Sequence, residues 1–263
     1  MKFQLKLAVL SIAAIFAFAS PASAIFYGNL SDPAGTVSFL NVQDINGLYG
    51  GPLDQFGQPS GPTVSLNSID FTPIDFQEAC SFCSSPETTT DTVSFEIDAV
   101  TGQAISTIDI AETGNYEMLT DAFATVTISA TVTIDVFEVN GAPVSNVSTT
   151  QQLAFTFNNG NTVAPPGGFV SGIFTGSLMV DIDALLAAEG FGPGQQATHL
   201  LFTMDNTLSA VHTGSFGQSL IRKRDFDATT ITINGGLPVP EPGTALLMGL
   251  GLAGLARSGR RAG

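Results

Sequence analysis

The stretch Thr125-Val126-Thr127-Ile128-Ser129-Ala130-Thr131-Val132-Thr133-Ile134-Asp135-Val136 decides the fold. Val126, Ile128, Ala130, Val132, Ile134 and Val136 occupy every second position, with Thr, Ser and Asp between them. In an extended chain successive side chains point to opposite faces, so these six apolar groups line one face of a sheet. The other face is wet, as in an antiparallel sheet packed on one side only. The same alternation recurs in Val93, Phe95, Ile97 and Ala99, in Leu153, Phe155 and Phe157, and in Ile231 and Ile233.

Between these runs stand Gly50-Gly51-Pro52, Asn158-Asn159-Gly160-Asn161 and Pro165-Pro166-Gly167-Gly168, which are turn chemistries. Helix signals are few. The strongest has Asp183 as N-cap, runs through Ala184-Leu185-Leu186-Ala187-Ala188-Glu189 and stops at Gly190. Many strands, frequent turns and one short helix predict an all-β fold, an antiparallel β-sandwich of jelly-roll type forming one domain over residues 25–236. The polar, unpatterned stretch from Cys80 to Thr92 reads as a long loop within it.

The chain of 263 residues carries a net charge of −15. Five of its eight basic residues and one of its 23 acids lie in the terminal segments, so residues 25–236 hold 3 bases against 22 acids, a net −19. Such a surface repels nucleic acid, whose binding needs Lys and Arg to neutralise phosphate. Disorder is excluded by the patterned Val, Ile, Leu and Phe content.

The two ends read as addresses. Lys2 and Lys6 precede an apolar run from Leu7 to Ala19 and the small residues Ser20-Pro21-Ala22-Ser23-Ala24. That order predicts a signal peptide over residues 1–24, with Ala22 and Ala24 in the signal peptidase site. At the other end, Pro240-Glu241-Pro242 is followed by an apolar stretch from Thr244 to Ala256 and by Arg257, Arg260 and Arg261. The prolines mark an extended, accessible segment. The stretch at about 244–256 reads as a short transmembrane helix, with the arginines as its cytoplasmic anchor.

Pro240-Glu241-Pro242, a short helix and an arginine cluster together resemble the PEP-CTERM sorting region, here residues 237–263. The resemblance implies recognition by exosortase, removal of the tail near the motif, and release or attachment at the surface of a bacterium, often one making exopolysaccharide. It implies no activity for the body. Gly249-Leu250-Gly251-Leu252-Ala253-Gly254 in the same tail satisfies the dinucleotide fingerprint, but no βαβ unit surrounds it, and close helix approach in a membrane explains these glycines better.

Chemistry is sparse in the body. Cys80 and Cys83 predict a local disulfide in an exported protein, against two free thiols or a redox or metal pair. His199 and His212 belong to no catalytic or metal motif, and there is no nucleophile elbow. Asp181 with Asp183, and Asp225 with Asp227, would each share a face if strand, and clustered acids could hold calcium, the one cofactor considered. Arg222, Lys223 and Arg224 stand beside Asp225 and Asp227, which predicts surface ion pairing within the chain. The expected function is that of an exported, non-enzymatic surface or extracellular-matrix protein. The alternatives are a carbohydrate-binding module of an exopolysaccharide layer and, behind it, a hydrolase using paired carboxylates.

Overall fold

The structure is a computed structural model that describes residues 24–47, 61–71, 76–81, 83, 85–158, 162–223 and 229–235. The signal segment and the sorting tail therefore lie outside the described residues, apart from Ala24. Fifteen strands and one short helix make up the described chain, and every strand pairing is antiparallel.

The strands form two layers. In the first, the order is β1 (Ile25–Ser31), β2 (Val37–Asp44), β6 (Glu87–Ala99), β13 (Ala197–His212), β8 (Ala124–Val139) and β9 (Ala142–Gln152), with β11 (Val163–Ala164) beside the start of β8. In the second, β7 (Ile105–Thr120) is central. β12 (Gly168–Asp181) pairs along one side of it, with β10 (Ala154–Phe157) beyond. β14 (Gly217–Arg222) and β15 (Thr229–Gly235) share its other side, followed outward by β5 (Gln77–Cys80), β4 (Ser68–Phe71) and β3 (Thr63–Ser65). The layers meet through the pair Ala197↔Ile105. Consecutive long strands alternate between layers, β6 in one, β7 in the other, β8 back in the first, as in a jelly roll.

The alternating run at Thr125 to Val136 lies in β8, where Val126, Ala130, Val132, Ile134 and Val136 are buried and Ile128 is half-buried. Phe95 is the centre of the interior. Its ring stacks on Phe202 at 4.8 Å, meets Phe39 edge-on at 5.6 Å and lies 6.3 Å from Phe71 of the opposite layer. Gly114 makes room for a second cluster, since a Cβ there would fall 2.3 Å from the Phe174 ring and 2.4 Å from the Arg222 carbonyl.

One irregularity turns a carboxyl group inward. Val37 and Phe39 face the interior, but an extra residue between Leu40 and Gln43 shifts the register of β2 against β6, with Asn41 at φ 54°. Beyond this bulge the phase is inverted, so Val42 and Asp44 point inward instead. The bulge is tied down from both sides, the Asn41 amide donating to Asn29 Oδ1 and its Nδ2 to Glu96 Oε1.

Three expectations are corrected. The polar stretch before Thr92 is not a loop throughout, because Glu87 to Thr92 belong to β6 and pair with β13. Threonine is a favourable strand residue, and a strand whose outer face meets water shows no apolar signal there. The helix α1 (Ile182–Ala188) starts earlier than expected, with Asp181 rather than Asp183 as N-cap, accepting from the Ala184 amide at 2.8 Å. Leu153 does not continue the strand of Phe155 and Phe157; it sits at the corner where the chain leaves β9 in one layer for β10 in the other.

Candidate functional site

Of the residues singled out in the sequence, Ala22, Pro240, Glu241, Pro242, Arg257, Arg260, Arg261, Arg224, Asp225 and Asp227 lie outside the described residues. Ala24 is exposed and immediately precedes β1. Cys80 and Cys83 form a disulfide with Cα atoms 5.8 Å apart. Asp181 ends a strand and Asp183 lies in the helix, so the two do not share a strand face. No group of three or more His, Cys, Asp or Glu side chains that could hold a metal ion occurs among the described residues. His199 pairs with Glu96 at 2.8 Å and meets Phe137 edge-on, an arrangement on the outside of the first layer, while His212 is fully buried at the end of β13. Arg222 bonds Asn115 Oδ1 at 2.8 Å and approaches Glu117 at 3.8 Å.

Two features stand out. The first is the outer face of the first layer, where the registers of β6, β13, β8 and β9 place side chains in rows. Ser94, Thr203, Thr133 and Thr150 form one row; Thr92, Asp205, Thr131 and Gln152 the next. Thr90, Thr207 and Ser129, then Thr88, Ser209 and Thr127, continue it. Twelve of these fourteen positions are Ser or Thr and one, Asp205, is charged. Neighbours along a row are about 4.8 Å apart and successive rows about 6.8 Å. Thr133 and Thr150 exchange a hydroxyl hydrogen bond at 3.2 Å, and Thr92 donates to Asp205.

The second feature is polar and lies inside the sandwich. Glu112 of β7, Asn206 of β13, Lys223 just after β14 and Thr229 of β15 are all buried and converge on Glu112 Oε1. Lys223 Nζ donates to that oxygen and, at 2.7 Å, to Asn206 Oδ1, while Asn206 Nδ2 donates to the same Oε1 at 3.0 Å. The Phe76 ring lies 5.3 Å from Nζ. Burial lowers the proton affinity of the Lys223 amine, and the charge of Glu112 partly offsets this. Next to the group stand Asp91, opposite Asn206 in the β6–β13 register, and Asp44, brought in by the bulge. Burial and the hydrogen bond with Asp44 push Asp91 up to about 8, so at neutral pH it holds a proton, while the Thr92 and Asn46 amides pull the other way. Burial, then the charges of Asp44 and Asp91, also raise the Tyr27 phenol.

Lys223 is thus not the surface cation that its neighbours in sequence suggest: it is fully enclosed and paired with Glu112 rather than with a surface acid. The remaining members belong to no motif, yet they carry a signal. Asp91 is in phase with Val93, Phe95 and Ile97, Asn206 with Met204 and Leu208, and Glu112 with Ile108 and Ile110. A polar residue on the apolar beat of a strand has to find a partner inside.

Residues 238–261 match the model of the PEP-CTERM protein-sorting motif. No curated protein matches the chain. Among solved structures it overlaps loosely with the enzymatically active domain of tailspike protein 4 of bacteriophage CBA120, at 9% identity over 82% of this chain and 20% of that one, with a TM-score of 0.20. It also overlaps with TmCBM61 in complex with β-1,4-galactotriose, at 6% identity, 76% and 92% coverage and a TM-score of 0.21. A third is VP2 of the infectious bursal disease virus subviral particle, at 14% identity, 84% and 59% coverage and a TM-score of 0.19. The chain thus spans a fifth of the tailspike's length, and overlaps this loose carry no weight for function. The match at residues 238–261 shows that the chain carries a PEP-CTERM protein-sorting motif, the signal that exosortase recognises.

Proposed function

We propose that the body is a non-catalytic component of the cell surface or extracellular matrix, delivered by the N-terminal signal and held by the tail until exosortase acts near Pro240-Glu241-Pro242. The sorting match at residues 238–261 carries this reading. The limits of the fold support it: β1 begins at Ile25, directly after the expected cleavage at Ala24, and β15 ends at Gly235, before the motif. Both cuts would leave every described strand intact. Fractionation of cells making a chain without residues 240–263 tests it, with loss of processing and of normal location expected.

A second reading is favoured by the hydroxyl face. In a chain of net charge −15, fourteen neighbouring positions with one charge form a neutral window. Regularly spaced hydroxyls suit an uncharged, hydroxyl-rich polymer, with which they can exchange hydrogen bonds without displacing counterions. The first layer is then the contact face for a neutral polysaccharide of the matrix. Co-sedimentation with insoluble neutral and anionic polysaccharides tests this, and preference for the anionic ones would overturn it.

A further inference from the structure

Inside the sandwich, an amine, a carboxamide and a carboxylate are held together without solvent. Lys223, Asn206 and Glu112 come from three different segments, and each is 2% exposed or less. Lys223 Nζ sits 2.7 Å from Asn206 Oδ1, one covalent bond from the carbonyl carbon Cγ. Glu112 Oε1 touches both the amine nitrogen and the amide nitrogen Nδ2, so one oxygen reaches the group that would attack and the group that would leave. Glu112 Oε2 has no hydrogen-bond partner among the described residues. As a stability device this arrangement is expensive, because enclosing an ion pair removes two charges from water.

We propose that Lys223 and Asn206 become joined by an intramolecular isopeptide bond, with Glu112 carrying the proton between them. Glu112 takes a proton from the ammonium, leaving a neutral amine whose lone pair attacks Asn206 Cγ. The Nζ–Cγ bond forms and the Cγ=O π pair moves onto Oδ1. Glu112 then gives that proton to Nδ2 and takes the second proton from Nζ, so that it ends the step protonated. When Oδ1 re-forms the carbonyl, the Cγ–Nδ2 bond breaks and ammonia departs. The balance is one amine plus one carboxamide giving one secondary amide plus one ammonia, with no oxidant, metal or cofactor. Three conditions favour the step. The residues are held at contact distance, which replaces a bimolecular encounter by an intramolecular one. Burial lowers the proton affinity of Lys223, which makes the neutral amine accessible. The enclosed site also keeps water from competing for Cγ.

The product would tie β13 to the segment after β14 across 17 residues and convert a buried ion pair into a neutral amide. This is a fitting modification for a protein that works outside the cell, where no chaperone refolds it.

The test is peptide mapping of the full chain after folding, using a protease that cuts at aromatic and leucine residues. A branched peptide joining the Asn206 and Lys223 segments is expected, lighter than the two parts together by about 17 Da for the ammonia lost. Trypsin should also fail to cut after Lys223. Recovery of two linear peptides, with Lys223 as a free amine and Asn206 intact, from folded wild-type chain would overturn the proposal whatever the variants do. Glu112→Gln, close to isosteric, should fold by circular dichroism yet stay unlinked. A folded Glu112→Gln chain that still links would overturn the role given to Glu112.

Discussion

Asp44 and Asp91 share a hydrogen bond in the interior, two carboxyl groups fully withdrawn from solvent. Like charges this close cannot both ionise cheaply, and Asp91 is the one pushed up, to about 8. Among the described residues, Tyr27 feels the charge of both carboxyl groups and Lys223 that of Asp91. Asp91 binds its proton more tightly folded than unfolded, so its contribution to stability is fully present below about pH 4 and is lost as pH rises toward 8. Asp91→Asn keeps the shape, leaves Oδ1 to accept from the Asn46 and Thr92 amides, and removes the titration. Relative to wild type, the variant should gain on the order of 2 kcal/mol at pH 8 and almost nothing at pH 4, read from urea midpoints at both. A difference independent of pH would contradict this. Asp32, held below the usual carboxylate range by the Leu66 and Ala34 amides, and Asp121, held down first by Ser215, act in the opposite sense at acid pH in both proteins.

The helix cap separates two neighbouring acids. Asp181 accepts the Ala184 amide, whereas Asp183 stands in the first turn, where its charge acts only through the end of a two-turn helix. Asp181→Ala should cost about 1 kcal/mol and Asp183→Ala less than about 0.5 kcal/mol in denaturant unfolding. The reverse order would restore Asp183 as the cap.

Phe95 touches three rings from both layers, so its removal leaves a cavity that neither layer can close alone. Phe95→Ala should destabilise by about 3–5 kcal/mol. Phe137→Ala, at a ring 38% exposed on the outer face, should cost far less in the same measurement.

The hydroxyl face gives a binding prediction. Thr131 lies between Asp205 and Gln152, in the second row of the array. Thr131→Arg puts a long charged side chain onto that surface while leaving the buried face of β8 untouched. It should reduce co-sedimentation with neutral polysaccharide at least several-fold with an unchanged thermal midpoint. Equal binding by variant and wild type would show that this face is not the contact surface.

Legibility in the sequence depends on what each residue has to satisfy. The period-two runs at Val126 to Val136 and Val93 to Ile97 give the strands directly, because their apolar beat is the buried face. Asn140-Gly141, at φ 51° and 72° between β8 and β9, is a two-residue hairpin turn that the sequence displays in the open, although apolar periodicity alone does not mark it. Asp44 is hidden for a different reason: the phase change at Asn41 makes an inward residue look outward when β2 is counted from Val37. Glu112, Asn206 and Lys223 are each visible as polar residues, but their convergence on Glu112 joins segments of β7 to others about a hundred residues away. No local pattern records that. The sorting motif is the reverse case, plain in sequence because Pro240, Glu241 and Pro242 stand side by side in the chain.

If residues 238–261 direct the sorting of an exported body, the mass and location of the protein should change when the motif does. The chains to compare in cells are wild type, a Glu241→Ala variant and a chain lacking residues 240–263. Wild type should lose both its N-terminal 24 residues and its tail and be found at the surface or in the medium. The Glu241→Ala chain should keep its tail and accumulate in the membrane fraction, and the truncated chain should be misplaced. Identical processing and identical location for wild type and Glu241→Ala would mean that the motif does not sort this protein.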